Sequence, residues 1–125
     1  MNLVDSSGWL EYFADGPNAS FFAEAVEHPE ELIVPTVCIY EVFKVVSRQR
    51  GESAALQAVA LMRQGAIVDL TESIAILAAE LSLKHALPMA VSVILATARV
   101  HQSTIWTQDA DFEGLEEVKF VPKEA

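Results

Sequence analysis

Short apolar runs alternate with helix-length stretches along nearly the whole chain, and this alternation constrains the fold more than any other feature. Leu3-Val4, Leu32-Ile33-Val34, Ala66-Ile67-Val68, Thr104-Ile105-Trp106-Thr107 and Val118-Lys119-Phe120-Val121 have the length and composition of strands. Helical patterns fill the intervals: Gly8 to Phe13, about Ser20 to Glu27, Thr36 to Arg50, about Ser53 to Arg63, Thr71 to Lys84, and Met89 to His101. Ser6 or Ser7, Thr36 and Thr71 are expected as N-caps, and Gly51 as a helix stop. Asp15-Gly16-Pro17-Asn18 and Leu87-Pro88 read as turns. Strands joined through helices need parallel crossovers. The expected fold is therefore α/β, a three-layer α/β/α sandwich with a short parallel sheet of four to five strands.

With 125 residues, 52% of them hydrophobic, the chain suits one domain, residues 1–125, with a real core. No apolar run reaches the length of a membrane span, and no secretory signal is evident, so a cytoplasmic protein without a membrane partner is expected. Cys38 is the only cysteine, which excludes an internal disulfide and a cysteine zinc cluster, and it reads as a buried apolar residue. The net charge of −10 argues against nonspecific binding to a phosphate backbone. It does not argue against a metal-dependent nuclease, because clustered acids can hold a divalent cation that supplies positive charge locally.

Acids occur where such chemistry would sit. In an open parallel sheet, ligands bind beyond the carboxyl ends of the strands. Asp5 follows the first strand; Asp109 and Asp111 follow the fourth; Glu41 lies in the first half of the helix after the second. Each also has a plainer reading. An aspartate after a strand is often a turn former or a cap, and Asp109 and Asp111 fit a loop. Glu41 is flanked by Ile39, Tyr40, Val42 and Phe43, where an unpaired carboxylate is costly to bury, which leaves a functional acid or a buried ion pair. Lys44 and Arg48 share a face with Glu41 and could contact phosphate, or could form a solvated stripe. Arg99 could face the acids or solvent. The histidines share no ligand spacing. A phospho-aspartate receiver would need paired acids after the first strand, and a haloacid-dehalogenase-like phosphatase would need an acid at Ser7; neither pattern is present.

Four stretches together resemble a PIN domain of the VapC type, the toxins of prokaryotic toxin–antitoxin pairs. They are Leu3-Val4-Asp5-Ser6-Ser7 with Trp9; Pro35-Thr36-Val37-Cys38-Ile39-Tyr40-Glu41-Val42; Leu87-Pro88-Met89-Ala90 with Ile94-Leu95-Ala96-Thr97-Ala98; and Trp106-Thr107-Gln108-Asp109-Ala110-Asp111-Phe112. The resemblance implies a Mg²⁺- or Mn²⁺-dependent endoribonuclease acting on RNA, a cognate antitoxin that covers the site, and commonly a homodimer. It assigns Asp5, Glu41 and Asp109 to catalysis and metal, and Asp111 to a further acid. Ser6 and Thr107 match hydroxyls that orient carboxylates or water.

One position departs from the pattern. The family usually has an aspartate after Leu87-Pro88 where this chain has Val91, in Ala90-Val91-Ser92. A valine neither ligates metal nor takes a proton, so weakened metal binding and turnover are expected. The alternative is a catalytically inactive PIN-fold module that docks an antitoxin or another protein partner.

Overall fold

The structure, a computed structural model, describes residues 1–124. Five strands form one sheet: β1 (Asn2–Val4), β2 (Leu32–Pro35), β3 (Ala66–Val68), β4 (Thr104–Thr107) and β5 (Val118–Phe120). Their order is β3-β2-β1-β4-β5 and every pairing is parallel. Six helices wrap the sheet: α1 (Ser6–Phe13), α2 (Ala19–Val26), α3 (Thr36–Arg50), α4 (Glu52–Met62), α5 (Glu72–His85) and α6 (Met89–Val100). The expected α/β architecture with a short parallel sheet is thus present, with five strands. No single helix among the described residues is long and apolar enough to cross a membrane.

The central strands are apolar on both faces, as buried parallel strands are. Leu3, Val4, Leu32, Ile33, Val34 and Ile105 are all buried. α2 packs on β1 and β4, α3 on β2, and α6 on β4. In α6 every residue from Val91 to Ala98 is buried, which explains a helix apolar nearly all round. The edge strand β3 exposes Ala66 and Ile67.

Helix starts differ from the sequence reading in two places. Asp5, not Ser6 or Ser7, caps α1: its side chain accepts from the Gly8 amide. The two serines are free to serve acids instead, Ser6 bonding Glu41 and Ser7 bonding Asp5. Thr36 is already the first residue of α3, because β2 runs through Pro35 and turns directly into the helix with no side-chain cap. Thr71 caps α5 as expected, accepting from the Ile74 amide. Gly8 lets α1 start this close to the sheet: a Cβ there would stand 2.6 Å from Val4 Cγ1 and 2.7 Å from the Phe22 ring.

Candidate active site at the carboxyl edge of the sheet

Strand register brings together the acid after β1 and the acid after β4. β1 and β4 pair with Val4 beside Trp106, and the Asp5 amide donates to the Trp106 carbonyl at 3.2 Å. Asp5 and Thr107 therefore end their strands side by side, and Asp109 follows two residues later. On the other flank β2 ends at Pro35, so α3 starts at the same edge and carries Glu41 in its second turn.

Asp5 is the most constrained group of the site. Oδ1 accepts from Ser7 Oγ at 2.7 Å and from the Gly8 amide at 3.0 Å; Oδ2 accepts from Thr107 Oγ1 at 2.9 Å. Those donors favour the carboxylate, yet Asp5 is only 2% exposed. Burial, assisted by the Asp109 charge, outweighs them and raises its pKa from 3.8 to about 6. Burial first, and then the Asp5 charge, also push the Cys38 thiol up, so Cys38 is a neutral, fully buried neighbour of the acids.

The acid loop is built on hydroxyls and amides. Thr107 Oγ1 accepts from the Asp109 amide at 2.9 Å while donating to Asp5, so one hydroxyl ties the Asp5 side chain to the Asp109 backbone. Asp109 Oδ1 accepts from the Asp111 amide at 2.9 Å and opens a single 3₁₀ turn, Ala110–Phe112. Asp111 itself is exposed. Ser6 Oγ donates to Glu41 Oε1. Glu41 is half-buried, and among the described residues no basic group pairs with it, so the ion-pair reading of this acid is not met. Val91 stands in the first turn of α6, 5% exposed, on a helix that packs against both α3 and β4.

The basic residues lie further out. Lys44 and Arg48 are exposed on α3, and the Lys44 ammonium stands 5.6 Å from the Tyr40 ring centroid. Arg99 lies in the last turn of α6, with Nε 3.6 Å from Glu117 Oε2. Glu117 immediately precedes β5, so Arg99 sits at the amino edge of the strands, away from the acids. Ser7, Glu11, Asn18 and Gln108 were not singled out by sequence, yet all bond into or beside the acid loop. Beside Ser7 and Gln108 opens a groove of about 680 Å³ walled by Leu10, Phe13, Val46, Ala58 and Leu61.

The donors suit a hard cation in kind, since Asp5, Glu41 and Asp109 offer only oxygen. In number they are sparse: among the described residues no three potential ligands stand close enough to form a ready cage.

The family model for the PIN domain matches residues 3–118. The chain belongs to the PIN domain family. Several solved structures share the fold over nearly their full lengths. A toxin–antitoxin complex from Klebsiella pneumoniae contains a chain 21% identical, with TM-score 0.83 and full coverage of both chains. VapC20 of Mycobacterium tuberculosis, a sarcin–ricin-loop-cleaving toxin, is 17% identical, with TM-score 0.79, 93% of this chain and 95% of that one covered. VapBC2 from Rickettsia felis, bound to a DNA fragment from its promoter, gives 10% identity and TM-score 0.74 over 97% of each chain. No curated protein sequence matches the chain.

Proposed function

We propose that this PIN domain, the whole chain 1–125 acting as one unit, is a cytoplasmic metal-dependent endoribonuclease. We read it as the toxin of a toxin–antitoxin pair, with turnover weakened by Val91. The observation that carries this reading is the buried Asp5 carboxylate, fixed by Ser7, Gly8 and Thr107 beside Asp109 at the carboxyl edge of the sheet. An arrangement that holds a buried acid against a second acid at some cost in stability is typical of a site kept for function.

Asp5, Glu41 and Asp109 would hold Mg²⁺ or Mn²⁺, with Asp111 at the rim. Such an ion supplies charge that offsets the transferring phosphoryl group and makes the attacking water more acidic. The chain's own residues do the positioning. Ser7 and Thr107 fix both Asp5 oxygens, Ser6 orients Glu41, and Thr107 sets the start of the Asp109 turn. Lys44 and Arg48, exposed on the helix that carries Glu41, are the cations placed to meet RNA; Arg99 is not.

The groove beside the acids fits a partner of defined chemistry: an antitoxin helix with an apolar face on Leu10, Phe13 and Leu61 and a basic end reaching the acids past Ser7. A second copy of the chain is assigned to α5. Ile76 and Leu83 are 58% and 87% exposed one heptad apart, with Ala79 and the exposed Glu80 between them, and a single apolar helix face can meet its own copy across a two-fold axis. Leu83→Glu is expected to convert a dimer to a monomer by light scattering, with an unfolding midpoint that no longer depends on protein concentration; a dimer that persists would remove α5 from the interface.

The binding-module reading is favoured by one observation, the buried valine at position 91. Cleavage of structured RNA separates the two. The nuclease reading expects slow cleavage with Mn²⁺ that EDTA stops and Asp109→Asn abolishes. Cleavage that survives either treatment would contradict it.

A further inference from the structure

Gln108 occupies a position that the chemistry above does not use. It lies between Thr107, which bonds Asp5, and Asp109. Its backbone amide donates to Ser7 Oγ at 3.2 Å, which ties the loop to the same serine that donates to Asp5. Its side chain turns the other way, into a second polar cluster. Oε1 accepts from Asn18 Nδ2 at 2.9 Å, and Nε2 lies 3.4 Å from Glu11 Oε1 as a long donor. Asn18 then closes the cluster, giving its backbone amide to Glu11 Oε2 at 2.8 Å and its second side-chain hydrogen to the Pro122 carbonyl at 3.0 Å.

Four separate pieces of chain meet here: α1, the turn before α2, the end of β4 and the segment after β5. Asn18 and Gln108 are only 5% and 6% exposed. Two buried amides are costly unless each finds partners, and a network of this kind holds one geometry where apolar packing would tolerate several. The surrounding turn is shaped for it: a Cβ at Gly16 would stand 2.5 Å from the Glu11 carboxylate, which needs that space to reach Asn18.

We propose that Gln108 is a positioning residue: clamped by Glu11 and Asn18 on one side and by Ser7 on the other, it fixes where Asp109 stands relative to Asp5. The clamp acts on the loop that leaves β4, at its one residue between the strand and the acid. The task given to Asp109 rests on the nuclease reading; the clamp itself does not.

The test is a reciprocal exchange. Gln108→Glu alone puts a second carboxylate against Glu11. Combining it with Glu11→Gln restores one donor and one acceptor with their roles reversed. Gln108→Leu removes the side-chain half of the clamp with little change in volume and leaves the backbone bond to Ser7. Amide hydrogen exchange at Asp109 and Asp111 is read against that of Leu3 and Val4 in β1, together with the urea unfolding midpoint and Mn²⁺ affinity by calorimetry. Both single variants are expected to speed exchange at Asp109 and Asp111 about tenfold or more with β1 unchanged, the signature of local opening. Mn²⁺ affinity is expected to fall about tenfold, the low end for residues that orient metal ligands. The double exchange is expected to restore both. Loop exchange unchanged in Gln108→Leu, or exchange speeded equally everywhere with a matching fall in the urea midpoint, would overturn the clamp, as would a double variant no better than Gln108→Glu. If Mn²⁺ binds none of these proteins, the nuclease reading falls, and the exchange rates alone still decide the clamp.

Discussion

Replacing Val91 by aspartate is expected to tighten Mn²⁺ binding by on the order of tenfold or more, because the number of charged oxygen ligands sets the affinity of a hard-cation site. Val91 lies in the first turn of α6, and α6 packs against α3 and β4, the elements that carry or lead into Glu41 and Asp109. The same change should weaken the metal-free protein. Val91 is 5% exposed, and a carboxylate introduced there without a partner costs roughly 2–4 kcal/mol. Urea unfolding in EDTA should therefore place Val91→Asp below the parent chain, and saturating Mn²⁺ should recover most of the gap, since a ligand that binds only the folded state stabilises it. Unchanged affinity by calorimetry would show that position 91 does not face the cation.

The second large effect concerns Asp5, and its sign is opposite to that of most carboxylates. Its folded-state pKa is raised, from 3.8 to about 6, chiefly by burial. The folded state therefore binds the proton more tightly than the unfolded chain between those values. Its favourable contribution is full below about pH 4 and is lost as pH rises through 6, so at pH 8 the ionised carboxylate costs roughly 3 kcal/mol at most. Asp5→Asn removes that cost and retains an acceptor for the Gly8 amide and Ser7, while Thr107 must turn to accept from the new amide. At pH 8 the variant is expected to be more stable than the parent by about 1–3 kcal/mol, with the gap closing below pH 5. Its RNA cleavage is expected to be lost. A variant less stable than the parent at pH 8 would mean that the hydrogen bonds to Asp5 outweigh its desolvation.

The acids of this site were legible in the sequence because each follows an apolar run that ends at the same sheet edge. Asp5 and Asp109 are brought together by a pairing of β1 with β4 that the alternation of strands and helices allowed but did not fix, and Glu41 stood out as a carboxylate in an apolar helix. Of the supporting shell, Ser6 and Thr107 were expected through the family resemblance, and the rest was not legible. Ser7, Asn18 and Gln108 are ordinary polar residues in turns and strand ends, and nothing local distinguishes a buried amide in a network from a solvated one. The caps were misplaced for a related reason. A serine next to an aspartate is an equally good N-cap by composition, and only the tertiary partners decide which side chain is free to cap: Glu41 of α3 takes Ser6, while Asp5 and the Gln108 amide take Ser7. Arg99 could not be oriented without the helix's direction: α6 leads straight into β4, so its last turn lies at the amino edge, beside Glu117.

The most direct test of the account is cleavage of a structured RNA pool by the chain and by Val91→Asp, side by side, with Mn²⁺ and with EDTA. The account predicts weak cleavage by the parent, markedly faster cleavage by Val91→Asp, and none from either in EDTA. Equal rates with Mn²⁺ would show that Asp5, Glu41 and Asp109 suffice and that the valine is no impairment. No cleavage by either protein would contradict the nuclease reading and leave the acids in a fold kept for docking its partner.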